Sequence, residues 1–157
     1  MTVSPAPAGW AVLAAGAVLV AGCNDSVATV AQPPGGDLTI SAFIRTTAAN
    51  QPCVPAGSTK QVIVRATAVA FTGAGGRSSV TLQTLQMPET STAGEPDIEN
   101  GSVVFGCDSR GTFGNLRPGT WSVSLSGAVS GTCPKTIVTS GQRTKVRIEN
   151  NSCGDGF

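Results

Sequence analysis

The stretch KQVIVRATAVAF, residues 60–71, decides the fold. Val62, Val64, Ala66, Ala68 and Ala70 recur at every second position, separated by Ile63, Arg65, Thr67 and Val69. A period of two sends successive side chains to opposite faces of a pleated backbone, so the run predicts a strand with one face turned to a core. On this reading it is the longest strand of the chain. Residues 72–77 (TGAGGR) follow as a turn, and residues 78–86 (SSVTLQTLQ) return as a second strand, which predicts a hairpin. Gly73, Gly75 and Gly76 do not make a phosphate-binding loop, because that pattern needs Gly-Lys-Ser/Thr opening a helix and none follows.

The same period extends outward on both sides. Upstream, Leu38, Ile40, Ala42 and Ile44 alternate with Thr39, Ser41, Phe43 and Arg45, a half-buried strand that starts near Asp37. Residues 46–59 form a loop, with Pro52, Pro55 and Gly57 grouped around Cys53. Downstream, residues 87–101 are a polar loop, and Val103, Val104 and Phe105 give a short strand ending at Cys107. Residues 111–113 (GTF) and 120–126 (TWSVSLS) add two more, with Trp121, Val123 and Leu125 facing inward together. Residues 135–139 and 143–149 read as a final hairpin joined by Ser140, Gly141 and Gln142. Seven or eight short strands, with no helical pattern after residue 22, predict an all-β fold, an antiparallel β-sandwich over residues 37–157. Composition agrees: 12% of the 157 residues are charged, and 20 Gly with 10 Pro favour turns over helices.

Residues 110–123, RGTFGNLRPGTWSV, resemble the G-x-F-x-N-L-x-P-G-x-Y-x-V signature of carboxypeptidase-regulatory-like and related prealbumin-like sandwich domains. In that pattern Gly111 and Phe113 start a strand and Leu116 enters the core. Pro118-Gly119 then makes the tight turn, and Trp121, standing where Tyr is usual, starts the next strand. The resemblance implies a sandwich serving as an accessory or structural module. It carries over no active-site residue.

Five cysteines are present. Cys53, Cys107, Cys133 and Cys153 form an even set in a chain that reads as exported, the pattern of a disulfide framework. Zinc is the competing use, but no two of them have the close spacing of a zinc knuckle and the chain has no His. Four cysteines allow three connectivities. Because Cys133 and Cys153 flank the open ends of the expected final hairpin, they are paired here, which leaves Cys53 with Cys107.

The fifth cysteine ends a run of apolar and small residues. Residues 8–22 are uncharged and mostly apolar, too short for the roughly 20 residues that span a bilayer as a helix, and read as a signal peptide over 1–22. Val20, Ala21, Gly22 and Cys23 resemble the lipobox of bacterial lipoproteins. The resemblance implies cleavage before Cys23, lipid on its thiol, and a membrane anchor of more than one acyl chain, beyond the single chain that binds only reversibly. Residues 23–36 (CNDSVATVAQPPGG) have few large apolar side chains and read as a flexible tether that holds the domain clear of the membrane.

Chemistry is sparse in what remains. With no His and no Tyr, the commonest general base and the usual triads are missing. Lys60, Lys135 and Lys145 lie at exposed strand positions, where no burial would activate a Ser-Lys pair. Glu89, Glu95, Asp97 and Glu99 crowd the loop over residues 87–101, but without an EF-hand pattern or an aromatic sugar platform it reads as solvated. Arg143, Lys145 and Arg147 project from one face of the last expected strand, a charged edge that resists aggregation. A net charge of +1 argues against nucleic acid. No metal and no cofactor is called for. The expectation is a non-catalytic lipoprotein of the cell envelope, meeting an envelope protein or glycan through loops 46–59 and 87–101. The alternatives are a soluble secreted binding module and an envelope enzyme with an unrecognised site.

Overall fold

The computed structural model describes residues 34–91, 97–99 and 102–155. The expected signal peptide, Cys23 and the tether as far as residue 33 lie outside the described residues. Among the described residues there are nine strands: β1 (Gly36–Thr46), β2 (Gln61–Phe71), β3 (Gln83–Gln86), β4 (Asp97–Glu99), β5 (Ser102–Leu116), β6 (Gly119–Gly127), β7 (Gly131–Val138), β8 (Arg143–Glu149) and β9 (Ser152–Asp155). They form an all-β sandwich, one sheet ordered β4-β5-β1-β8-β9 and the other β3-β2-β6-β7.

The alternating runs do build the core. Val62, Val64 and Ala66 of β2 lie beside Trp121, Val123 and Leu125 of the neighbouring β6 on one inner face, while Leu38, Ile40 and Ala42 close the core from β1 in the other sheet, and each is at most 5% exposed. Full burial of a Val, Leu or Ile side chain stabilises by about 1.5–3 kcal/mol, so this layer supplies the main driving force. Trp121 is fully buried, donates its Nε1–H to Arg117 O at 3.0 Å and meets the Phe71 ring edge-on, with ring centroids 6.2 Å apart. The five-residue face expected of β2 is cut short. Its pairing with β6 shifts register between Ala68 and Ala70, where Ala68 is half-buried and Ala70 exposed.

Strand count and pairing depart from the sequence reading in four places. The pieces expected at 103–107 and 111–113 are one 15-residue strand, β5, because antiparallel pairing with β1 runs unbroken from Leu38↔Phe113 to Thr46↔Phe105. The hairpin of β2 and β3 pairs only residues 61–64 with 83–86. Residues 72–82 instead detour across the sandwich, where Arg77 N–H donates to Asn115 O at 2.6 Å and Arg117 N–H to Arg77 O at 2.9 Å. Gly76 permits this approach: its φ is +76°, and a Cβ there would lie 2.6 Å from Arg117 N. Part of the expected polar loop at 87–101 is strand β4, paired with β5.

The fourth departure is the expected final hairpin. β7 pairs with β6 in one sheet, whereas β8 pairs with β1 and β9 in the other, the β1–β8 pairing being parallel. Val138, Val146 and Ile148, each at most 3% exposed, face the core from opposite sheets. The corner between them is held by Gln142 N–H donating to Thr139 O and Thr144 Oγ1 donating to Ile137 O. Alternation records which side chains point inward, and it is the same whether the next strand lies alongside or opposite. β8 is therefore interior to its sheet rather than an edge, and although its three cations share the outer face, as expected, they are not equally exposed. Arg143 and Lys145 are exposed, but Arg147 is 7% exposed and lies with Cζ 3.5 Å from the centroid of the Phe43 ring. Phe43 sits on the outer face of β1, and stacking a guanidinium on it removes that apolar surface from water.

Two disulfides staple the sandwich: Cys53 to Cys107 and Cys133 to Cys153, with Cα–Cα distances of 5.8 and 5.5 Å. The pairing is the one read from the sequence, although the hairpin used to choose it does not exist. Cys133 lies on β7 and Cys153 on β9, edge strands of opposite sheets, so this bridge clips one open side of the sandwich.

Candidate functional site

The loops expected to bind a partner meet at one end of the sandwich. β1 ends there at Thr46, β2 starts at Gln61 and β3 ends at Gln86. Residues 46–59 and the described part of 87–101 run side by side as a short ladder outside the main sheets. Asn50 N–H donates to Ser91 O at 2.8 Å, Ser91 N–H to Gln51 O at 2.9 Å and Cys53 N–H to Glu89 O at 3.1 Å, around a bridge between Pro52 and Thr90. Met87 N–H donates to Lys60 O at 2.9 Å and extends the ladder toward β2.

Three anchors fix this ledge from below. The Cys53–Cys107 disulfide ties it to β5. Ser91, 1% exposed, donates its hydroxyl to Gly106 O at 3.3 Å, and Met87 is buried in the core. Two local features shape the outer rim: Asn50 adopts φ +62°, and Ser58 N–H closes a turn on Pro55 O at 3.1 Å. Above these anchors stand Asn50, Pro52, Pro55, Ser58, Thr59, Lys60, Glu89 and Thr90, all exposed. Lys60 Nζ lies 2.7 Å from Glu89 Oε1, and this hydrogen bond, followed by the charge of Lys60, holds the Glu89 carboxyl below the usual carboxylate range. A rigid backbone with small polar side chains offers adaptable hydrogen bonding at little ordering cost.

Of the carboxylates expected here, Glu89 is on the ledge, Glu95 is outside the described residues, and Asp97 and Glu99 belong to β4. Lys60, Lys135 and Lys145 are exposed. Among the described residues, no group of three or more His, Cys, Asp and Glu could hold a metal ion.

A second feature was not legible in the sequence. On the outer face of the β1–β8 sheet, Arg45 reaches Glu149 with two bonds, Nε to Oε1 at 2.5 Å and Nη2 to Oε2 at 3.1 Å. With Arg147, Ser152 and Gly154 this pair lines a cleft of about 170 Å³. Sites that bury small-molecule ligands are usually about 300–1,000 Å³, so the cleft admits a few atoms at most. Parallel pairing of β1 with β8 assembles it, and no local pattern carries that information.

No protein-family model, curated protein or solved structure matches this chain.

Proposed function

We propose that the chain is a lipid-anchored lipoprotein of the bacterial cell envelope, whose sandwich acts by contact rather than catalysis. One geometric observation carries the reading. The chain enters the fold at Gly36 at one end, and the ledge of residues 46–59 and 87–91 stands at the other. An anchor on Cys23 would therefore hold the ledge outward, where an envelope protein or glycan can reach it. The two disulfides are consistent with an extracellular or exported protein. The lipobox-like Val20-Ala21-Gly22-Cys23 supports the anchor, and the carboxypeptidase-regulatory-like pattern of residues 110–123 supports an accessory role.

Intact mass spectrometry, under non-reducing conditions, of protein made in a bacterial host with lipoprotein processing tests this. The expected species starts at Cys23 and carries acyl mass that Cys23→Ser abolishes. A chain cut elsewhere without acyl mass overturns the anchor.

A further inference from the structure

The end of the sandwich where the chain enters is a basic surface. Three connections meet there: residues 72–77 after β2, Arg117 and Pro118 between β5 and β6, and 139–142 between β7 and β8. They contain Arg77 and Arg117 and neither Asp nor Glu. Arg143 opens β8 beside Asp37, its register partner on β1. These residues are contiguous. Arg117 N–H donates to Arg77 O at 2.9 Å, Arg77 N–H to Asn115 O at 2.6 Å, and Asn115 N–H to Asp37 Oδ1 at 3.1 Å. Arg77 and Arg143 are exposed and Arg117 is half-buried. Their inward bonds leave donors on both looped arginines: Arg77 uses Nε and Nη2 on Gly114 O, and Arg117 uses Nε on Gly73 O. Three arginines against Asp37 give this end a charge of +2, in a chain whose total is +1. The opposite end is acidic among the described residues, with Glu89 on the ledge and Asp97 and Glu99 on β4 against Lys60.

We infer that this basic end seats directly on the anionic lipid headgroups of the bilayer, so that the sandwich stands upright on the membrane with its ledge outward. The orientation rests on the anchored reading above, and the attraction rests on the charges alone. Pro34 and Gly35 emerge within the basic surface, held by Ser140 Oγ on Pro34 O and by Gly35 N–H on Asn115 Oδ1 at 3.2 Å. Residues 23–33 separate Cys23 from Pro34, and eleven residues span at most about 40 Å. An anchor on Cys23 would keep the arginines within that reach of the headgroups, at high effective concentration. The acidic far end would be repelled by the same surface, which favours one orientation over its reverse.

The test uses the full chain carrying Cys23→Ser, so that lipidation plays no part. It floats with vesicles of phosphatidylcholine alone and of phosphatidylcholine with about 30% phosphatidylglycerol. Residues 8–22 carry no charge and contribute alike to both, so the ratio of the two affinities isolates the charge effect. At low salt the ratio is expected to be about a hundredfold, falling toward one in 0.5 M salt. Each of Arg77→Gln, Arg117→Gln and Arg143→Gln should lower it about fivefold, the change equivalent to roughly 1 kcal/mol per basic residue near an anionic surface. Arg77→Gln/Arg143→Gln leaves the Arg117 bond intact and should lower it about 25-fold, so the inference is tested even if loss of Arg117 disturbs folding. Lys60→Gln, on the ledge at the opposite end, should not change it. A ratio near one at low salt, or an equal drop with Lys60→Gln, overturns the inference. The anchor is judged separately, from the mass of the wild-type chain: acylated wild type with a ratio near one sinks this inference alone, and unacylated wild type with a high ratio sinks the anchor alone.

Discussion

Removing the clip between the sheets should cost a predictable amount and loosen one strand before the rest. Cys133 and Cys153 are 20 residues apart in sequence, and in the chain-entropy model closing such a loop destabilises the unfolded state by about 3 kcal/mol. Cys133 is 1% exposed, so alanine is the right replacement there, since serine would bury a hydroxyl. The double variant Cys133→Ala/Cys153→Ala should lose about 3 kcal/mol in urea unfolding followed by the fluorescence of Trp121, and about 10 °C in melting temperature. β9 is a four-residue edge strand paired only with β8, so its amides should lose hydrogen-exchange protection first. Cys53 and Cys107 are 54 residues apart, and their removal should cost about 4 kcal/mol. The two loops do not interlace, so the costs should add to about 7 kcal/mol, comparable to the whole stability of a typical domain. A loss under about 1 kcal/mol for the Cys133 pair, with β9 protection unchanged, would refute the argument that this bridge holds the sheets together.

Three further outcomes follow from single side chains. Trp121→Phe removes the donor to Arg117 O and part of a fully buried ring; a loss of about 2–3 kcal/mol is expected in urea unfolding followed by circular dichroism, since the variant lacks the fluorophore. Gly106→Ala would place a Cβ against Phe43 Cζ and 2.6 Å from Ile44 O, so it should push the ring from its bed beside Arg147 and cost about 1–3 kcal/mol, seen as shifted Phe43 resonances. The Glu89 carboxyl should titrate by NMR below the ordinary carboxylate range, and Lys60→Met should bring it back. Since the folded value is the lower one, the pair stabilises the fold above the unfolded carboxylate range, and that contribution disappears as pH falls through Glu89's folded value.

Much of the fold was legible because burial leaves a local record. Leu38, Ile40 and Ala42, Val62 and Val64, and Trp121 and Val123 each announce an inward face by alternation, and each is buried. The ledge was half legible: Pro, Gly and polar residues marked both loops, but nothing in either signalled that Asn50 would donate its backbone N–H to Ser91 O and Ser91 its own to Gln51 O. The basic end was not legible at all. Arg77, Arg117 and Arg143 are far apart in sequence, two in separate turns and the third at the start of β8.

By itself, then, the sequence determined the strand content, the inward faces and the supply of cysteines, all properties set within a few residues by side-chain period and type. Only the tertiary structure decided which sheet each strand joined. It carried β7 and β8 to opposite sheets, ran β8 parallel to β1, and made Cys133–Cys153 a clip between edges. The physical reason is that hydrophobic burial fixes the direction of a side chain but is indifferent to its partner. Partners are chosen by hydrogen-bond register and close packing between segments distant in the chain, which no local pattern encodes.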